Sequence, residues 1–130
     1  MILKVNRTNQ LKKFLLELLC EYSENVYYGQ AISKSKYPRI EFSIKQIFTD
    51  EQYLKYLLTL NFYDKSTCEN IDSIADDICD KLGLSIYAEN DFYVKFLRQD
   101  DRQMIDEQDK TLQHVMTTFE VRYFLRRDYK

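Results

Sequence analysis

Backbone punctuation is scarce in this 130-residue chain: two glycines, Gly29 and Gly83, and one proline, Pro38. A glycine-rich phosphate-binding loop is therefore excluded. Three cysteines, Cys20, Cys68 and Cys79, form no CxxC, and His114 is the only histidine. Too few ligands stand at the wrong spacing for zinc. Cys68 and Cys79 fall on one predicted helix about 16 Å apart by helical rise, too far for a disulfide, so reduced thiols and a cytosolic compartment are expected. No run approaches the ~18 apolar residues of a membrane span. The opening MILKVNRTNQ turns polar after five residues and reads as no secretory signal. A soluble protein, made and kept or assembled inside a cell, is the expectation. A net charge of −2 and a pI near 5.5 argue against non-specific nucleic-acid binding as the main task.

What is present is apolar and aromatic. Hydrophobic residues at 45% and aromatics at 15% exclude disorder, because this much Leu, Ile, Phe and Tyr offsets the chain entropy lost on folding. The length suits one domain, residues 1–130. Eleven tyrosines and no tryptophan suit half-buried sheet positions and contact surfaces. Charge is segregated along the chain. Residues 1–63 carry nine basic and six acidic side chains, 64–110 carry six and thirteen, and 111–130 carry four and two.

Periodicity gives the elements. Leu11, Phe14, Leu15, Leu18, Leu19 and Tyr22 recur at helical spacing, so a first amphipathic helix is predicted to about Ser23, capped by Asn6 or Thr8. Ile40, Phe42 and Ile44, then Tyr56, Leu58, Leu60 and Phe62, alternate as strands, predicting an antiparallel pair over 39–48 and 52–63. STCE at 66–69 has the capping-box form ahead of a helix faced by Ile71, Ile74, Ala75, Ile78 and Leu82, with Asp72, Asp76, Asp77 and Asp80 outside. Leu84, Ile86, Phe92, Val94 and Phe96 supply one or two short strands, and RQDDRQMIDEQDK, 98–110, is polar enough for a loop or hairpin tip. The order is then α-β-β-β-α-β-β-β: an α+β fold, a mostly antiparallel sheet with two helices packed on one face.

The closing alternation from Val115 to Leu125 poses a puzzle. A strand from Thr111 to Arg126 is roughly 50 Å long, against a radius of gyration of about 14 Å for a compact chain of this size. One end is expected in the core and the other projecting, with the preceding loop, towards a neighbour; a bulge near Met116 to Thr118 is the alternative. Chemistry finds little footing. Asp76/Asp77 and Asp100/Asp101 are adjacent pairs with nothing to place them in a pocket. Residues 100–109 lack the glycine and spacing of a calcium loop. No catalytic residue, cofactor or metal is expected.

The leading helix, VYYGQAISKSKYPRIEFSI, a strand ending LTLNFYDKS, the helix TCENIDSIADDICDKL, an acidic connection and the closing TTFEVRYF together resemble the tail terminator (tail completion) proteins of long-tailed bacteriophages and prophages, over nearly the whole chain. The resemblance implies no enzyme. It implies a subunit of a virion ring, six-membered in that family, able to stay monomeric until it meets the tube. That ring caps the tail tube protein, ends its polymerisation and meets the head-completion (connector) protein at the head-tail interface, after synthesis in the bacterial host cytoplasm. DNA passes through such a ring without specific binding, and no membrane is involved. Head-tail connector ring proteins and a small adaptor of a mobile element are the alternatives. A ring needs unlike patches on each subunit, which segregated charge and sheet edges both supply. The interface or lumen candidates are Asp100, Asp101, Arg102, Asp106, Glu107 and Asp109, and neutralising the five acids is expected to leave folding intact while impairing ring stacking or DNA passage.

Overall fold

The structure, a computed structural model, describes residues 7–30, 36–49, 52–65, 70–83, 85–89, 92–98, 101–108 and 111–124. Helix α1 spans Arg7–Leu19, and strands β1 Asn25–Tyr28, β2 Arg39–Thr49 and β3 Tyr53–Lys65 follow it. Helix α2 spans Asn70–Leu82, and β4 Ile86–Glu89, β5 Phe92–Arg98, β6 Gln103–Ile105 and β7 Leu112–Phe124 complete the chain. The strands join in one seven-stranded sheet of order β1-β2-β3-β7-β5-β4, with β6 also on β7. Among the described residues only the β1–β2 pair is parallel. The α+β architecture expected from the sequence holds, with one strand more than the sequence reading anticipated.

The pleat decides which residues face the helices. Along β3 the even positions Tyr56, Leu58, Leu60 and Phe62 are buried, while the odd ones between them are half-buried. Their partners on β7 are Val121, Phe119, Thr117 and Val115, also buried. Leu11, Leu15, Leu18 and Leu19 of α1 and Ile71, Ala75, Ile78, Cys79 and Leu82 of α2 close on this face as one core cluster. Phe14 carries α1 onto the far strands, with ring centroids 4.8 Å from Tyr87 and 4.9 Å from Phe92. Two buried tyrosines end on α1: the Tyr56 hydroxyl lies 2.8 Å from Thr8 Oγ1, and the Tyr123 hydroxyl donates to Gln10. Thr8 thus sits inside the helix, satisfying a buried phenol rather than capping; Asn6 and the capping-box residues 66–69 lie outside the described residues. The helix is also shorter than expected, passing after Leu19 into turns in which Glu21 and Tyr22 donate to Leu18 and Leu19.

At Gly29 the backbone takes φ +77°, a conformation open to glycine at no steric cost, and its N–H donates to Phe42 O at 2.7 Å where β1 ends. Tyr37–Pro38 is cis.

The long last strand does not project. All 13 residues of β7 pair in continuous register with all 13 of β3, from Tyr53↔Phe124 to Lys65↔Leu112, so β7 is the centre of the sheet and its length matches its partner's. No bulge interrupts that ladder at Met116 to Thr118. Register slips instead on the other side of β7. Pairing passes from Arg98↔Phe119 on β5 to Gln103↔Met116 on β6, five residues along one segment against three along the other, so that among the described pairs the register has a gap opposite Thr117 and Thr118.

Candidate interaction surface

Asp101 fills that gap. Its Oδ1 accepts from the Thr118 amide at 2.9 Å and from Thr117 Oγ1 at 3.4 Å, and its Oδ2 from the Thr118 hydroxyl. Arg102, next along, crosses to α2, donating to Asp72 Oδ1 at 2.7 Å and to Asp76. Those two acids stand one helical turn apart, so a single guanidinium fork spans both. Burial pushes the Arg102 pKa down, but the hydrogen bonds it donates to Asp76 and Asp72, and their charges, outweigh it, and the net direction is up. Glu107 Oε1 lies 2.8 Å from His114 Nδ1, whose Nε2 lies 2.7 Å from Asn61 Oδ1, while the ring stacks on Tyr63 at 4.1 Å.

The segment read as a loop or hairpin tip therefore contains β6 and is tied to β7 and α2. Asp101, Arg102 and Glu107 hold their own chain together, Asp106 is exposed, and Asp100 and Asp109 lie outside the described residues. The expectation that the acids can all be neutralised at no cost to folding does not suit this geometry. Asp101→Asn should lower stability by about 1–2 kcal/mol through the weakened bonds to Thr118. Urea unfolding checks this as a lower midpoint at unchanged slope.

The face of the sheet that no described helix covers carries what sequence reasoning missed. Its Lys65 end is closed by stacked cations and rings. Arg39, 3% exposed, pairs with Glu41 Oε2 at 2.9 Å and lies over the Tyr63 ring at 4.2 Å. Burial, with Glu41 and Glu107 close by, raises the Tyr63 pKa. At the opposite end the register aligns Lys55, Arg122 and Lys95 in one row across β3, β7 and β5. The next row holds Tyr53 and Phe124, with centroids 5.6 Å apart, continued by Tyr93 at 5.1 Å from Phe124 and by Phe48 at 6.5 Å from Tyr53. Lys45 adds a fourth cation from β2, opposite Leu57.

Glu120 is the acid within this basic band, bonded to Arg122 and, at 3.3 Å, to Lys55. Burial pushes its carboxyl up, but hydrogen bonds from Arg122 and Lys55, then their charges, outweigh that and hold it below its ordinary value. A depressed folded-state pKa contributes stability above the unfolded value that is lost as pH falls through the folded one. Glu120→Gln should therefore cost stability near neutrality and flatten its decline below about pH 4, as followed by urea midpoints across that range.

Between Pro38–Ile40, Phe62–Tyr63 and Ile71 and Ile74 of α2 lies a shallow apolar crevice with no room for a water-sized molecule, far short of the ~300 Å³ at which small-molecule sites begin. Among the described residues no three His, Cys, Asp or Glu side chains group as a metal site, and no helix is long and apolar enough to cross a membrane. Comparison of the chain with protein families and with curated proteins found no match.

Proposed function

We propose that the chain is a structural subunit of a phage or prophage virion, one of a ring that caps the tail tube, ends its polymerisation and offers the surface that joins the head. The observation that carries this reading is the far half of β2. β1 covers only Arg39–Phe42 of its outer edge, and among the described residues no strand pairs with that edge from Ser43 to Thr49. Ile47 and Phe48 stand 44% and 50% exposed on this stretch. Tyr28 donates its hydroxyl to Ile44 O at 3.4 Å, and beyond it the register with β3 shifts between Gln46 and Phe48; the main-chain groups past that point, beside two large apolar side chains, form a template for strand addition by another chain.

In this reading the edge meets the last ring of tube subunits and covers it with a surface that takes no further subunit. The partners are copies of the same chain, the tube protein and the head-completion protein, and the work is recognition rather than catalysis. The experiment is tube growth in vitro. Purified tube subunits polymerising with substoichiometric amounts of this chain should stop at short lengths. Tubes that lengthen without limit at every ratio contradict the proposal.

A further inference from the structure

We propose that a second copy of this chain docks head to tail, the acidic outer face of its α2 seated on the basic-aromatic half of the uncovered sheet face. This rests on the ring reading and deepens it by naming the contact between neighbouring subunits.

The two patches are complementary and lie on opposite sides of the sheet. Lys45, Lys55, Lys95 and Arg122 outnumber Glu120 on one side, while on the solvent side of α2 Asp72, Asp76, Asp77 and Asp80 outnumber Arg102, which forks onto Asp72 and Asp76. Their dimensions agree. The row Lys55, Arg122, Lys95 crosses two inter-strand spacings, about 10 Å; Asp72 to Asp80 rises about 12 Å along the helix. Tyr53, Phe124 and Tyr93 give the contact an apolar centre beside the cations, as protein interfaces carry. Because the body of α2, the core and the sheet separate the patches, no single pair of copies satisfies both. The contact is heterologous, and repeating it gives a closed ring when the rotation closes.

The same band invites comparison with single-stranded nucleic acid, which stacks bases on exposed ring faces. Here Tyr93 meets Phe124 edge-on at 85° and Tyr53 tilts at 52° to it, so the rings pack against one another rather than lie open as a stacking platform. The helix of a second copy is the better fit.

Charge exchange in the full chain tests this. One variant carries Lys45→Glu and Lys95→Glu, the other Asp77→Lys and Asp80→Lys, with circular dichroism confirming that each folds. Sedimentation equilibrium up to about 1 mM protein should find the unaltered chain associating, each variant at least tenfold weaker, and an equimolar mixture of the two restored, since each then offers the patch the other has lost. The contact proposed here needs no tube end, so an unaltered chain that stays monomeric at that concentration overturns it, while leaving the ring reading, in which a monomer can wait for the tube. So does a mixture that fails to recover, or a labelled single-stranded DNA that binds the sheet face while the chain does not self-associate. Tube arrest unaffected by either variant sinks this contact and leaves the capping role; association without tube arrest does the reverse.

Discussion

Replacing Arg39 with alanine lowers the unfolding free energy by about 3–5 kcal/mol, the range for removing one partner of a buried ion pair. Arg39 and Glu41 side chains are 3% and 9% exposed, two residues apart on one face of β2. The Arg39 guanidinium lies beneath an aromatic roof, 4.2 Å from the Tyr63 ring centre and 5.2 Å from that of Tyr37. Without the arginine the Glu41 carboxylate stays desolvated and uncompensated, and the Tyr63 ring loses the guanidinium stacked on it. The double change Arg39→Met with Glu41→Leu should be far milder, because it removes both charges and keeps the volume. Urea unfolding of the three proteins decides it. A loss below about 1 kcal/mol for the single change would mean that the pair behaves as a surface ion pair.

The second large effect concerns the hairpin formed by β2 and β3. Changing Ile47→Lys together with Phe48→Asp should abolish tube capping while shifting stability by about 0.5 kcal/mol or less, as surface changes do. Both side chains are about half exposed, and Phe48 touches the ring row only at its end, 6.5 Å from Tyr53. Charges placed along an open strand edge oppose pairing with a further strand, which is how natural sheets protect their edges. Tube lengths by electron microscopy measure the outcome. Tubes still arrested at wild-type length by this variant would remove the edge from the account.

Local pattern carried much of the fold. The spacing of Ile71, Ile74, Ala75, Ile78 and Leu82 marked α2, and the alternation in β2 and β3 marked the strands and the buried face of each. The length of β7 was legible too, but not its place. A strand's neighbours are chosen by pairing across the chain, and a segment called overlong alone is matched residue for residue once β3 lies beside it. β6 escaped notice because three residues carry no period, and its existence depends on β7 running past it.

The candidate surface was less legible for a related reason. Tyr53 and Lys55 alternate on one strand, Arg122 and Phe124 on another, and nothing in either segment says that the aromatics meet aromatics and the cations form a row. Cross-strand register makes the patch. The acids of 100–109 stood out in the sequence as a block, yet the carboxylates of Asp101 and Glu107 bond to the Thr118 amide and to the His114 ring of their own chain. Clustered charge in a sequence thus marked a fastening of the sheet, while scattered cations assembled into the open face.

The account stands most directly on the ends of tail tubes grown in the presence of this chain. Electron microscopy of those tubes should reveal a closed ring of its copies on one end, with growth halted there. Bare ends on tubes that continue to lengthen, with the chain left in solution, would contradict it.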